Sequence, residues 1–180
     1  MDVALLDILA LIVIVAGLLQ GLMRGLGPSF GLLLWLILAL WLSNALAPQV
    51  ISWMPNSGDP SDPEAVATAY AWLAALLVLL PAVAQLLGGS GGKKKVDPEA
   101  TNKFSAVIVG VVSSLLLLAW LTPYTQGVDA LSEDLDSAYT PGVVTGVASA
   151  ASWLYPEAHR EELRALAAAS KAPDASGTAK

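Results

Sequence analysis

The chain has 180 residues, of which 56% are hydrophobic and only 13% charged, about half the roughly 25% charge usual for a soluble domain. Its formal net charge is −6, with no cysteine and one histidine. That excludes a basic nucleic-acid footprint, disulfides, and any thiolate or self-contained histidine metal site.

The charge deficit is concentrated in four apolar blocks, which points to a membrane protein. The first covers residues 3–22, about 20 residues, enough to cross roughly 30 Å of hydrocarbon as a helix. It opens Met1-Asp2-Val3, with no positive n-region and no small-x-small cleavage pattern. It is therefore expected to stay in the mature protein rather than act as a signal. It carries one carboxylate, Asp7. A polar elbow, Met23-Arg24-Gly25, leads to a second block at 28–46. Pro28 suits a helix first turn, Gly25 and Gly27 supply the turn, and so short a connection makes the two helices antiparallel neighbours. Trp41 falls near the end of this block, where aromatic belts form, and Trp35 lies deeper.

Residues 47–63 are rich in Pro, Ser, Asn, Asp and Gly and read as an exposed loop. The loop ends Asp62-Pro63-Glu64, which combines a favoured N-cap, a favoured first helical residue and a first-turn acid. The third span follows at 66–87, with Pro81 expected to kink it. Residues 88–95 form a flexible linker ending in three lysines. The start signal recurs as Asp97-Pro98-Glu99, and the fourth span runs over 104–121 until Pro123 ends it.

Beyond Tyr124 the stretch 127–139 is acidic. Residues 143–155 are apolar but too short to span, and are expected to pack on the bundle or lie in the interface. Pro156-Glu157-Ala158 opens a helix to about residue 170. It has a weak apolar stripe (Leu163, Leu166 and alanines), and Glu161, Glu162 and Arg164 form a solvated face. His159 lies among these charged residues. Residues 171–180 are expected to be disordered. The fold predicted is all-α and integral to the membrane. Four transmembrane helices form two hairpins within residues 1–124, a short helical region follows at 125–170, and then the tail.

Arg24 lies in the first connection and Lys93, Lys94, Lys95 and Lys103 in the third. The second connection has no Lys or Arg but holds Asp59, Asp62 and Glu64. The positive-inside rule puts the first and third connections in the cytoplasm. Both termini are then expected outside, in the periplasm if the membrane is a bacterial inner membrane.

Asp7 is the sharpest single residue. A carboxylate inside an apolar helix is costly and often functional. Its shallow position favours a cap-like or snorkelling role near the membrane surface. The alternative is a buried polar or proton-responsive contact, with Gln85, Asn44 or a backbone group. Arg24 is not its partner, because 17 residues of helix separate them by roughly 25 Å. Gly17, Gly21 and Gly25 make overlapping small-xxx-small steps. These serve either a homo-oligomer seam or, as the hairpin favours, packing within the chain. Arg24 reads as a topology determinant or a lipid head-group contact. Asn44 and Gln85 read as packing or interface residues, and Ser113 and Ser114 as bonding back to their own helix. Trp120, Tyr124, Trp153 and Tyr155 read as interfacial anchors. No phosphate-binding loop, triad or facing pair of acids is present: Glu133 and Asp134 are adjacent in sequence and do not face each other on a helix. No catalytic, cofactor or metal site is expected.

The first hairpin resembles the CvpA family, the colicin V production proteins. The residues that carry the resemblance are Leu6-Asp7-Ile8, Gly21, Arg24-Gly25, and then Gly31 and Trp35 in the second helix. The spacing of the later helices, with Asn102-Lys103 and Gly110 in the fourth, is similar too. The acid often found soon after Arg-Gly is replaced by Gly27-Pro28-Ser29. The resemblance implies a small, non-enzymatic bacterial inner-membrane protein. Its implied role is as an interaction or accessory component in envelope homeostasis or toxin production and secretion, with a membrane or periplasmic partner. A small transporter or channel subunit and a membrane anchor for a separate partner are the alternatives.

Overall fold

A computed structural model describes residues 4–53, 59, 61–87, 100–127 and 138–170. The helices are α1 (Leu5–Arg24), α2 (Leu26–Trp53), α3 (Pro63–Leu87), α4 (Ala100–Leu121), α5 (Thr140–Ala150) and α6 (Glu157–Ala169). A 3-10 turn at Thr122–Gly127 follows α4, and another at Ser152–Leu154 joins α5 to α6. Among the described residues there is no strand. Each of α1 to α4 contains a stretch long and apolar enough to cross a membrane. The fold is all-α with four such spans, as the composition predicts.

The ends of the helices follow local chemistry. Gly25 terminates α1 with φ 76°, its N–H returning to the Gly21 carbonyl at 3.1 Å. A residue with a Cβ is strained there, so glycine makes an elbow one residue long. At α3 the Glu64 N–H donates to Asp62 Oδ1 at 3.1 Å. The Asp cap and proline first turn work as the spacing predicts: α3 begins at Pro63, three residues ahead of its apolar span at 66. α2 passes the expected end at 46 and runs through Pro48 to Trp53. Proline removes the N–H that would bond the Asn44 carbonyl. Ala47 and Ile51 on either side are 0% and 3% exposed, however, and the core contact they make holds the helix together across the lost bond. α4 starts at Ala100, so the helix begins before its apolar span at 104, as the start signal predicts. The Asp97-Pro98-Glu99 signal, the three-lysine linker, the Glu133-Asp134 pair and the tail lie outside the described residues.

Packing departs from the simple pair of hairpins. α1 lies chiefly against α4, not against its hairpin partner α2, while α2 packs on α3 and α4. The core runs from Leu36 and Leu40 through Tyr70, Ala74 and Leu116 to Trp120. It continues off the bundle into Val144, Leu154 and Leu163. The bundle's exterior is apolar: Leu11, Ile12, Leu34, Leu38, Trp72 and Leu76 are all exposed, as suits contact with lipid chains rather than water.

α5 and α6 form a lobe over the end of the bundle where α1 and α3 begin and α2 and α4 finish. α5 rests on α4 and α1, and α6 on α3 and the Thr122–Gly127 turn. Of the two expectations for residues 143–155, packing on the bundle is the one realised. Two of the expected interfacial anchors are core residues instead. Trp120 is 7% exposed and Tyr155 1%, the latter turned inward with its hydroxyl on α4. Tyr124 and Trp153 remain exposed.

Candidate functional site

The polar chemistry of the described residues gathers where the lobe meets the bundle. Asp7 stands in the first turn of α1. Its Oδ1 accepts from Thr140 N–H at 2.8 Å and Thr140 Oγ1 at 2.7 Å, and the Tyr139 N–H lies 3.0 Å from both carboxylate oxygens. Tyr139 occupies the N-cap of α5 and makes no side-chain cap bond of its own. Asp7 therefore caps α5 from a different helix. It satisfies N–H groups that a helix start leaves open and sets a negative charge against the positive end of the dipole. Of the two readings, the cap-like one and the polar contact meet here: the partners are the Tyr139 and Thr140 backbone and the Thr140 hydroxyl, not Asn44. Asn44 instead donates from Nδ2 to the Trp153 carbonyl at 3.1 Å, tying α2 to the lobe. Gln85 and Arg24 have side chains outside the described set.

His159 is the residue that the sequence hides best. It is 1% exposed, not part of a solvated face. The reason is a stripe at helical spacing on α6: His159, Leu163, Leu166 and Ala167 all point into the interface. The imidazole stacks on Tyr155 with ring centres 5.4 Å apart and planes 9° apart, meets Tyr70 edge-on at 5.5 Å and lies tilted against Tyr124 at 5.8 Å. Nε2 lies 3.0 Å from the Ala119 carbonyl. A carbonyl only accepts, so Nε2 carries the proton, and Nδ1 is left to accept from the Tyr124 hydroxyl at 3.5 Å. The residue four beyond Ala119 is Pro123, which has no N–H to offer that carbonyl. His159 fills the place. Tyr155 serves the neighbouring turn, its hydroxyl donating to the Leu116 carbonyl at 2.9 Å. Two signals pointed to this arrangement: the missing N–H of Pro123, and the spacing of His159, Leu163 and Leu166.

Burial pushes the His159 pKa below its ordinary 6.5, against a smaller opposing effect of the Ala119 contact. A group whose folded pKa is depressed stabilises fully above its unfolded value and progressively less below it, because the unfolded chain then binds the extra proton. The lobe is expected to hold at pH 7 and to loosen as pH falls below about 6.5. Partial burial pushes Glu162 up from 4.5, which acts in the opposite sense at more acid pH. His159→Gln keeps a donor for Ala119 and has no titration. Its amide-exchange protection in α6 is expected to stay flat between pH 7 and 5.5 where the parent's falls, and equal slopes would refute the assignment.

The glycine seam is internal, as the hairpin favoured, but its partner is α4 rather than α2. A Cβ on Gly17 would strike Ser114 Oγ and come within 2.6 Å of the Gly110 carbonyl oxygen. One on Gly110 would strike the Gly17 carbonyl, and one on Gly21 would strike Ala106. Ser114 Oγ donates across this seam to the Val13 carbonyl at 3.1 Å, whereas Ser113 bonds back to Val109 at 2.8 Å. Of the two serines, only Ser113 behaves as expected. Gly25 belongs to the elbow, not to the seam.

A family model described as Colicin V production protein matches residues 6–148. The matched stretch contains Asp7, the glycine seam and the start of α5 that Asp7 caps, and ends before α6. No curated protein and no solved structure matches the chain.

Proposed function

The chain belongs to the colicin V production protein family, and from that premise we propose a non-enzymatic accessory component of the bacterial inner membrane. It serves envelope homeostasis or the production and secretion of a colicin V-type toxin. Its lobe is the part that meets a membrane or periplasmic partner. The observation that carries this reading is the use made of Asp7. The carboxylate in the first span is committed to holding a lobe on one end of the bundle, so its polar chemistry maintains a surface. That surface includes Tyr139 and Trp153, 81% and 54% exposed, with Trp53 of α2 at 72%. Exposed aromatics of this kind serve both membrane interfaces and protein partners. The lysine-bearing side is assigned to the cytoplasm by the positive-inside rule, which sets the lobe in the periplasm. The glycine seam is occupied within the chain, which favours a heterologous partner over a glycine-mediated homo-oligomer.

The test is recovery of the tagged full chain from cells in mild detergent, comparing the parent with Asp7→Ala. A partner bound to the parent and lost from the variant, with the four spans still folded, is the expected result. The competing transporter reading expects flux through proteoliposomes that changes in Asp7→Asn. Such a flux, or partner recovery indifferent to the lobe, would overturn the proposal.

A further inference from the structure

The seam that draws α1 onto α4 also draws it away from α2, and the space left between them is a chamber of about 270 Å³. It is lined by Gly17 and Gln20 of α1, Leu32 and Leu36 of α2, and Gly110 and Leu117 of α4, with Trp35, Val78 and three serines completing the wall. The α1 residues lie in its last turns and the α2 residues in its first three. The chamber therefore occupies the elbow half of the bundle and reaches toward mid-membrane.

Most of the wall is carbon, and three of its polar side chains are already engaged. Trp35 Nε1 donates to the Leu77 carbonyl at 2.9 Å. Ser113 and Ser114 give their protons to Val109 and Val13. Ser29 is 4% exposed, and its buried hydroxyl has no hydrogen-bond partner. That leaves two lining groups with hydrogen bonds to offer, both near the elbow: the Ser29 hydroxyl in the first turn of α2, and the half-buried Gln20 amide, about four residues or ~6 Å from the elbow end of α1. Apolar cavities of this kind stay dry and take apolar guests, whereas water needs two to four polar partners.

We propose that the chamber holds one acyl chain of a membrane lipid, drawn from the elbow-side leaflet. The ester carbonyl accepts from the Gln20 amide and the chain runs inward between Leu36 and Leu117. The polar group lies at the depth of the lipid esters and the apolar wall at the depth of the chains, which matches an acyl ester end to end. The space of about 270 Å³ takes the part of one chain next to the ester and not a whole two-chain lipid, so the rest of the lipid stays in the bilayer.

Trp35 is a built-in reporter. The full chain with its other five tryptophans changed to phenylalanine is placed in phosphatidylcholine vesicles brominated midway along one acyl chain. Trp35 emission is expected to be at least halved relative to unbrominated vesicles. Ser113→Phe, which fills the chamber, is expected to abolish most of that quenching. Equal quenching in the filled variant would mean that Trp35 meets lipid from outside. Quenching by iodide in the water but not by bromine would mean a hydrated chamber. Either result, or no quenching at all, overturns the proposal. If the single-tryptophan chain fails to fold, native mass spectrometry of the parent chain reads the same point. One lipid is expected to survive activation that strips the others, and Leu117→Phe to lose it. Retention unchanged by Leu117→Phe, or no lipid retained, refutes it.

Discussion

Gly17→Val is expected to be the most damaging single substitution in the membrane-spanning bundle, costing about 3 kcal/mol or more, at the upper end of what overpacking does. Lipid tails are as apolar as leucine, so helices in a bilayer associate through close packing and polar contacts rather than hydrophobic expulsion. Backbone proximity at Gly17 and Gly110 is therefore a main source of α1–α4 affinity, and both obstacles to a new side chain are fixed. The Gly110 carbonyl is backbone, and Ser114 Oγ is held on Val13. Valine also forfeits that hydroxyl bond by pushing Ser114 aside. Gly17→Ala is expected to show the same defect in milder form. The contrast is Gly31, where an added Cβ meets nothing within 4 Å. Gly31→Ala is expected to be neutral or to stabilise by up to about 1 kcal/mol, because alanine is the better helix former. Reversible unfolding in mixed micelles measures both. If Gly17→Val unfolds with the parent, α1 and α4 are not packed through this seam.

The sequence and the structure part company in an informative way. The spans were legible because length and apolarity alone make a membrane helix. The start of α3 was legible because Asp62, Pro63 and Glu64 act on their own neighbours. The glycine seam was legible as a seam, since spacing places Gly17 and Gly21 on one face. Which helix fills it was not. Chain proximity points to α2, and the actual partner depends on Gly110 and Ala106, about ninety residues away. The end of α2 was misplaced for a similar reason: Pro48 and Asn44 look like a terminus until Ile51 is seen to be buried. His159 was the largest departure. Flanking charges made its helix read as solvated, while a stripe of four residues against Tyr70, Tyr155 and the free Ala119 carbonyl decided its place. Local chemistry is written locally, but docking between segments is settled by which groups elsewhere are left without partners.

Asp7→Ala is expected to free the lobe while leaving the four spans folded. The substitution removes every acceptor that Tyr139 and Thr140 find on α1: three bonds to Oδ1 and a shared one to Oδ2, all between 2.7 and 3.0 Å. Loss of an N-cap alone costs about 1 kcal/mol, and loss of a charge facing a helix N-terminus a further 0.3–1 or so. The sum, roughly 2 kcal/mol, is large for an 11-residue helix that relies on docking for its stability. Asp7→Asn separates the two contributions. One amide oxygen can still serve Thr140, but the amide nitrogen then faces the Tyr139 N–H, donor against donor, and the charge is gone. Its loss is expected to fall between the parent and alanine, at about 1 kcal/mol. Thr140→Val, which deletes only the hydroxyl bond, is expected to cost a similar amount. Hydrogen exchange at the amides of residues 139 to 150 reads the result directly. Protection there should fall in the order parent, Asn, Ala, while protection in the middle of α1 and α4 stays at the parental level. Uniform protection across the three proteins would mean that Asp7 does not hold the lobe. A collapse of protection in α1 and α4 as well would mean that the lobe is needed for the bundle itself, and that Asp7 acts on the fold as a whole rather than as a latch on one end of it.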